Sequence, residues 1–319
     1  MDIQILHRFP NEPIQVFSGS TLQHSGEESF VLSDFEQKNV LEFFGETSQD
    51  LTRIDWQPNT RTSPCPEPNK EEYLFQIETL TQELELGEKA VIARAFPYSC
   101  SVEPQEIFTQ LEKQHPSAFV YLFQLSNQEM WMGASPERLI EQKGPNLFQT
   151  VSLAGTKWNK NKDWTPKEEE EQFIVTQEIE RKLSLGNART IMVGERSTQQ
   201  AGHLFHLSTP ITFEADQDQL KSIIQHLHPT AAVCGFPKDK SLQQIGRFET
   251  QSRSWYAGFL GRFSENKTDL FVNLRCAQVL ANSLITYAGG GITALSNAQQ
   301  EWDEIVQKSQ TIPNAINHD

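Results

Sequence analysis

Residues 118–134 read A-F-V-Y-L-F-Q-L-S-N-Q-E-M-W-M-G-A, two apolar runs either side of a short polar turn. Ala118–Leu125 and Glu129–Ala134 are rich in aromatic and β-branched residues and bounded by turn formers, the signature of paired strands. The pattern returns at Leu270–Leu280 and Leu284–Tyr287, joined through Ala281-Asn282. Connections this short link antiparallel neighbours. Further strands are expected at Ile14–Phe17, Phe30–Leu32, Ala90–Ala95, Leu147–Leu153 and Ala188–Gly194. Helical patterns cover Glu71 to Leu84, Pro104–Gln114, Pro166–Leu185, Gln217–Leu227, Lys240–Phe248 and Asn297–Lys308. Together these favour an α+β arrangement, antiparallel sheet with helices outside, over regular βαβ alternation. Residues 1–60 read as a short leading region with a few strands. Gln57–Asn69, with four prolines, reads as a linker or surface loop.

A chain of 319 residues can form two domains or one large sheet-based domain. The formal net charge of −15 argues against nucleic acid or an anionic membrane as partner. Four cysteines (Cys65, Cys100, Cys234, Cys276) show no C-x-x-C spacing and read as buried thiols in a reducing compartment. The N-terminus carries no basic segment followed by an apolar core, and no apolar run approaches a membrane span. A soluble cytoplasmic protein is the expectation.

The densest chemistry lies in Tyr287–Lys308, Y-A-G-G-G-I-T-A-L-S-N-A-Q-Q-E-W-D-E-I-V-Q-K. Glycines let backbone N–H groups approach an anion. Glu301, Glu304 and Lys308, three and four residues apart, share one face of the following helix. A second acidic cluster is T-P-K-E-E-E-E-Q-F-I-V, residues 165–175. Thr165, Pro166 and Glu168 form a strong helix start, so Glu168 reads equally as a capping-box residue and as a functional acid. Glu171 differs, because Val175 and Ile179 continue its face inward. A core-facing glutamate needs a partner, and a divalent cation shared with Glu304 would supply one; oxygen-only ligands suit Mg²⁺.

Other residues are ambiguous singly. Lys89, at the mouth of the strand K-A-V-I-A-R, ordinarily reads as an edge lysine snorkelling to solvent. Glu137 in G-A-S-P-E-R-L reads as a solvated acid in a tight turn, and L-A-G-T (Leu153–Thr156) as a strand end with a glycine. Arg275 stands mid-strand among apolar neighbours, where a buried arginine wants an anion. His206 reads first as a satisfied core histidine. Spacing alone thus gives a Mg²⁺ site and an anion pocket without naming a reaction.

Read in order, these segments resemble the chorismate-utilising enzymes: isochorismate, salicylate, anthranilate and aminodeoxychorismate synthases. The resemblance runs from Lys70 to Thr311 through K-A-V-I-A-R, G-A-S-P-E-R-L, L-A-G-T, E-E-E-E-Q, H-P-T-A-A-V-C-G-F-P, S-R-S-W-Y-A-G, L-R-C-A and A-G-G-G-I…E-W-D-E-I-V-Q-K. It implies the anthranilate synthase component I-like, chorismate-binding fold: two packed, largely antiparallel β-sheets flanked by helices. Residues 70–319 would form the catalytic domain, with residues 1–60 packing on the same fold as one structural domain. It also implies a Mg²⁺ that clamps the ring carboxylate of chorismate, with Glu171 and Glu304 as direct ligands and Glu168 and Glu301 close by. Lys308 and the amides around Gly289 and Gly291 would meet the same carboxylate. Arg275 and Tyr256 would hold the enolpyruvyl carboxylate, while Ala154, Gly155, Thr156, His206 and Thr230 line the pocket.

Within that family a lysine at the position of Lys89 marks members that use water as nucleophile, where ammonia users carry glutamine. Ala154 points the same way, since aminodeoxychorismate synthases carry a lysine in P-I-K-G-T. Lys89, desolvated, would act as general base on water attacking C2, and Glu137 would protonate the departing C4 hydroxyl. The resemblance therefore implies an isochorismate synthase serving menaquinone or siderophore formation, needing no glutamine amidotransferase and plausible as a monomer. Salicylate synthase is the alternative, followed by an ammonia-using synthase or a non-catalytic chorismate binder. Two departures stand out: Gln172 replaces a common histidine, and Gly290 a common alanine.

Overall fold

The computed structural model describes residues 1–22, 28–57, 59–62, 64–201 and 204–316. Pro58 and Ser63 of the expected linker lie outside the described residues. The strands are β1 (Asp2–Arg8), β2 (Gln15–Ser20), β3 (Glu28–Ser33), β4 (Val40–Ser48), β5 (Lys89–Ser99), β6 (Phe119–Leu125), β7 (Met130–Ser135), β8 (Arg138–Gln142) and β9 (Leu147–Lys157). They continue with β10 (Arg189–Val193), β11 (Ser197–Ala201), β12 (Leu204–Glu214), β13 (Gly235–Phe236), β14 (Phe259–Arg262), β15 (Asp269–Val272), β16 (Cys276–Val279) and β17 (Ser283–Ile292). The helices are α1 (Lys70–Glu83), α2 (Pro104–Gln114), α3 (Pro166–Leu185), α4 (Gln217–Leu227), α5 (Lys238–Phe248), α6 (Ala298–Ser309) and α7 (Pro313–Ile316).

Every strand pairing among the described residues is antiparallel. One half of the sheet runs β13-β5-β17-β16-β7-β6-β1-β2. The other runs β4-β3-β14-β15-β8-β9-β12, with β10 and β11 beside β12. The β2–β4 pairing joins the halves into one ribbon. The ribbon doubles over itself, so that Phe119 of β6 stacks on Phe271 of β15 at 5.0 Å and on Phe9 at 4.6 Å. The expected α+β fold of two packed antiparallel sheets is thus present, with β1–β4 forming the seam. Every residue of β6 is buried, as the continuous apolar run requires.

The run Leu270–Leu280 is not one strand. It breaks between β15 and β16, where buried Asn273 donates to Trp255 O at 2.8 Å and accepts from Tyr121 Oη. Arg275 therefore does not stand mid-strand: it lies in the break with φ +49°. Periodicity also fails to mark β12, which carries Pro210 within it, yet this strand supplies His206.

Helix α3 starts as its sequence dictates, with Pro166 in the first turn and a capping box between Thr165 and Glu168. It lies against β9, while α6 lies against β17. Gln172 carries the tie to the sheet, its Nε2 donating to Ser152 O, Ser152 Oγ and Thr209 Oγ1, each at 3.1 Å. The glutamine that departs from the family pattern is a helix-to-sheet anchor.

Where β13 ends, side chains complete the edge of β5. Arg253 donates to Val91 O at 2.8 Å and Val233 O at 2.7 Å and clasps Glu249 at 2.6 Å. Glu249 in turn accepts from Ala93 N at 2.8 Å. Replacing Arg253 by methionine would leave a buried carboxylate and two carbonyls without their donor. Chemical denaturation of Arg253→Met should show a loss of about 3 kcal/mol or more relative to the wild type.

Candidate active site

Strands β5, β9, β12 and β17 and helices α3 and α6 converge on one pocket. Strand β17 pairs with β5 from Ser283↔Ser99 to Ile292↔Ala90, whereas its pairing with β16 ends at Ala277↔Thr286. Beyond Thr286 one edge of β17 is therefore free of β16. Gly289 O faces that edge and accepts from Lys308 Nζ at 3.1 Å, so the glycine peptides point where the acidic helix stands. The glycines also matter for what they lack. A methyl at Gly291 would lie 2.2 Å from Glu171 Oε1 and 2.7 Å from Lys89 Cε, and one at Gly289 would lie 2.9 Å from Tyr256 Oη. Bare backbone lets a lysine of β5 and a glutamate of α3 meet across β17.

That meeting is a chain of alternating charges. Lys89, fully buried, has Nζ 3.0 Å from Glu171 Oε1. Lys167 Nζ lies 3.2 Å from Glu171 Oε2 and 3.0 Å from Glu301 Oε1. Lys308 Nζ reaches Glu304 Oε1 at 2.5 Å, one helical turn back on α6. Burial alone would raise the Glu171 carboxyl, but Lys167 and Lys89 outweigh it and hold it at about 2. Glu304 is likewise held down, burial being overcome by Lys308 and Lys167. Glu301 goes the other way, to about 7, because burial and its carboxylate neighbours outweigh Lys167.

The pocket, partly open to solvent, is lined by Glu137, Ala154, Gly155, Thr156, Glu171, His206, Tyr256, Arg275, Gly289, Gly291 and Lys308. Lys89, Thr230, Glu168, Glu301 and Glu304 do not form its wall, although Ala232 and Val233 beside Thr230 do. Lys89 is not the exposed edge lysine its sequence suggests, nor Glu137 a solvated acid: both are buried. Burial in the pocket raises the Glu137 carboxyl to about 8 against the pull of Lys89 and Lys308. Arg275 reaches Thr311 Oγ1 at 3.3 Å, and no carboxylate among the described residues lies within ion-pairing distance of it. His206 Nδ1 meets Gly155 O at 2.9 Å, which makes Nδ1 the protonated nitrogen. Burial, with Arg275 and Lys308 nearby, lowers its pKa to about 3, so the ring is neutral with Nε2 as an acceptor. His206 Nε2, Thr230 Oγ1 and Glu301 Oε2 are buried without a hydrogen-bond partner in the protein. Of these three, His206 stands in the pocket wall, and its unpaired acceptor there points to a polar ligand.

Glu168 is committed elsewhere, its carboxylate accepting from Thr165 N at 2.9 Å and from Thr165 Oγ1. Of its two readings, the cap is the one the structure displays. Among the described residues no three His, Cys, Asp or Glu side chains are gathered around one point, because Lys167 and Lys308 separate Glu171, Glu301 and Glu304. The donor set nevertheless fits a hard divalent cation. It is all carboxylate oxygen, Glu301 Oε2 is an orphan, and an ammonium already bridges Glu171 and Glu301. Sequence reasoning missed Lys167; its only local signal is the i,i+4 spacing to Glu171, common on any helix surface.

A family model described as chorismate binding enzyme matches residues 32–317. Isochorismate synthase MenF of Escherichia coli (strain K12) is 29% identical over 257 residues, 76% of this chain and 59% of that protein. The vibriobactin-specific isochorismate synthase of Vibrio cholerae is 29% identical over 244 residues, 70% of this chain and 60% of that protein. The chain thus spans about three fifths of the length of these curated relatives. The solved structure of MenF, the menaquinone-specific isochorismate synthase from Escherichia coli, superposes with a TM-score of 0.81 at 23% identity, covering 99% of this chain and 89% of that one. That likeness establishes the fold.

The raised Glu137 carboxyl has a signed consequence for stability. From its ordinary 4.5 up to about 8 the unfolded chain releases this proton and the folded chain retains it. Folding stability from this group is full below pH 4.5 and drains away as pH rises towards 8. Glu137→Gln removes that drain. Urea denaturation should find the variant close to wild type near pH 4.5 and more stable by roughly 2–4 kcal/mol near pH 8.

Proposed function

The chain belongs to the chorismate binding enzyme family, and from that premise we propose that it converts chorismate to isochorismate with the help of Mg²⁺. The observation that carries this reading is the opposite protonation of two buried glutamates in one pocket: Glu137 neutral, Glu171 ionised beside Lys89. A hydroxyl transposition requires an acid able to give a proton, the part Glu137 fits, and a base for the attacking water, the part assigned to Lys89 once its ammonium has been deprotonated.

In this reading the contact of Lys89 with Glu171 opens, the Lys89 ammonium releases a proton to solvent, and the neutral Nζ then takes a proton from the water that adds at C2 of the ring. The double bonds shift from C1=C2 and C5=C6 to C6=C1 and C4=C5, and the C4 hydroxyl leaves as water on receiving the Glu137 proton. Water is gained and lost, so no redox cofactor is needed. Glu171 and Glu304, with Glu301 beside them, are the residues that would hold Mg²⁺. The ion supplies charge neutralisation for the ring carboxylate and draws electron density from the ring. Lys308 and the free edge of β17 at Gly289 and Gly291 orient that carboxylate. Arg275, lacking a protein carboxylate, and Tyr256 orient the enolpyruvyl carboxylate. His206 Nε2, a bare acceptor, suits a substrate hydroxyl.

Incubation of the pure protein with chorismate and MgCl2, resolved by HPLC, tests the assignment, with isochorismate alone as the expected product. Salicylate with pyruvate would select a salicylate synthase, and amino products appearing only with ammonia would sink the water-nucleophile reading. Lys89→Ala and Glu137→Gln should each abolish turnover while Mg²⁺-dependent ligand binding survives. The turnover rate of the wild type should fall as pH rises through about 8, where Glu137 loses the proton it must donate.

A further inference from the structure

Lys167 has no place in the reaction just described, yet it sits at the centre of the acidic cluster. Its Nζ bridges Glu171 on α3 and Glu301 on α6, at 3.2 and 3.0 Å. It does not line the pocket, and its side chain is 12% exposed. Building on the magnesium reading above, we propose that Lys167 is an internal counter-cation that holds Glu171 and Glu301 together and that a metal ion must displace in order to bind.

Buried carboxylates sharing one site repel unless a cation lies between them. Lys167 supplies a single positive charge to two acids, and one of the oxygens it leaves free, Glu301 Oε2, has no partner in the protein. The pair is therefore neutralised enough to fold and too little to be satisfied. A divalent ion brings twice the charge and can take oxygens from both acids at once. The two cations compete for the same oxygens, so the affinity for metal is what remains after Lys167 has been expelled.

The three lysines of the cluster are not equivalent in this respect. Lys89 is wholly enclosed, and Lys308 is tied to Gly289 O in the pocket wall. Lys167 stands in the first turn of α3 between exposed Pro166 and half-buried Glu168, with exposed Glu169 next. A four-carbon stem rooted there can swing its ammonium to solvent without moving the helix. Lys167 is accordingly a positioning residue that acts on the metal site from outside the pocket. The rival reading makes it a permanent strut between α3 and α6, beside which a metal would bind.

Calorimetric titration of MgCl2 into wild type and Lys167→Gln, without chorismate, separates the two. Displacement predicts that the variant binds Mg²⁺ tighter by roughly tenfold or more, one competing charge having gone. Its metal-free melting temperature falls below wild type, while its gain on adding MgCl2 is larger. In wild-type protein, reductive methylation read by peptide mass spectrometry should find Lys167 protected without metal and labelled faster with MgCl2. A variant that binds Mg²⁺ no tighter, or wild-type labelling that MgCl2 leaves unchanged, overturns the proposal; if the variant fails to fold, the labelling decides alone. Wild type that binds no Mg²⁺ at all removes the magnesium reading and this proposal together. Binding by wild type with no gain in the variant removes only the displacement.

Discussion

The site depends on acids and ammonium groups meeting across a strand that has no side chains in the way. Gly291 leaves the gap through which Lys89 of β5 reaches Glu171 of α3, and Lys167 carries the contact on to Glu301 of α6. Two helices far apart in the sequence are thereby held over the same stretch of β17. Without the intervening lysines the three carboxylates would repel in a poorly solvated place, and α3 and α6 could not pack as they do.

The same physics sets protonation states apart within one cavity. Glu137 and Glu171 are chemically identical side chains, both buried, yet one is pushed up to about 8 and the other held at about 2. The difference is distance to cations: Glu171 touches two ammonium groups, whereas Glu137 feels Lys89 and Lys308 only from further off. His206 follows the same rule with opposite sign, staying neutral because it is buried among positive charges. Protonation states are thus set by placement in the fold.

Much of this was legible in the residues because it is local. The start of α3 at Thr165-Pro166, the face shared by Glu301, Glu304 and Lys308, and the paired strands β6 and β7 are all determined by neighbours a few positions away. What depends on distant partners was not legible. Arg275 reads as mid-strand because its break is marked by Asn273, which bonds to Trp255 and to Tyr121, the latter far along the chain. Lys167 looks like one half of an ordinary helix pair until α6 brings Glu301 beside it. Glu168 reads both as a cap and as an acid of the site, and its bonds to Thr165 show the cap.

The pairing of β5 with β17 also says something about how the molecule comes into being. Ala90 is matched to Ile292 and Ser99 to Ser283, so roughly two hundred residues must be made between one strand and its partner. On the ribosome, the apolar edge Lys89–Ser99 emerges early and waits for nearly the whole remaining chain. Closing so long a loop is slow, and an unpaired apolar edge is sticky in the meantime. The geometry that unites Lys89 with the glycine strand thus rests on a contact of very long sequence separation.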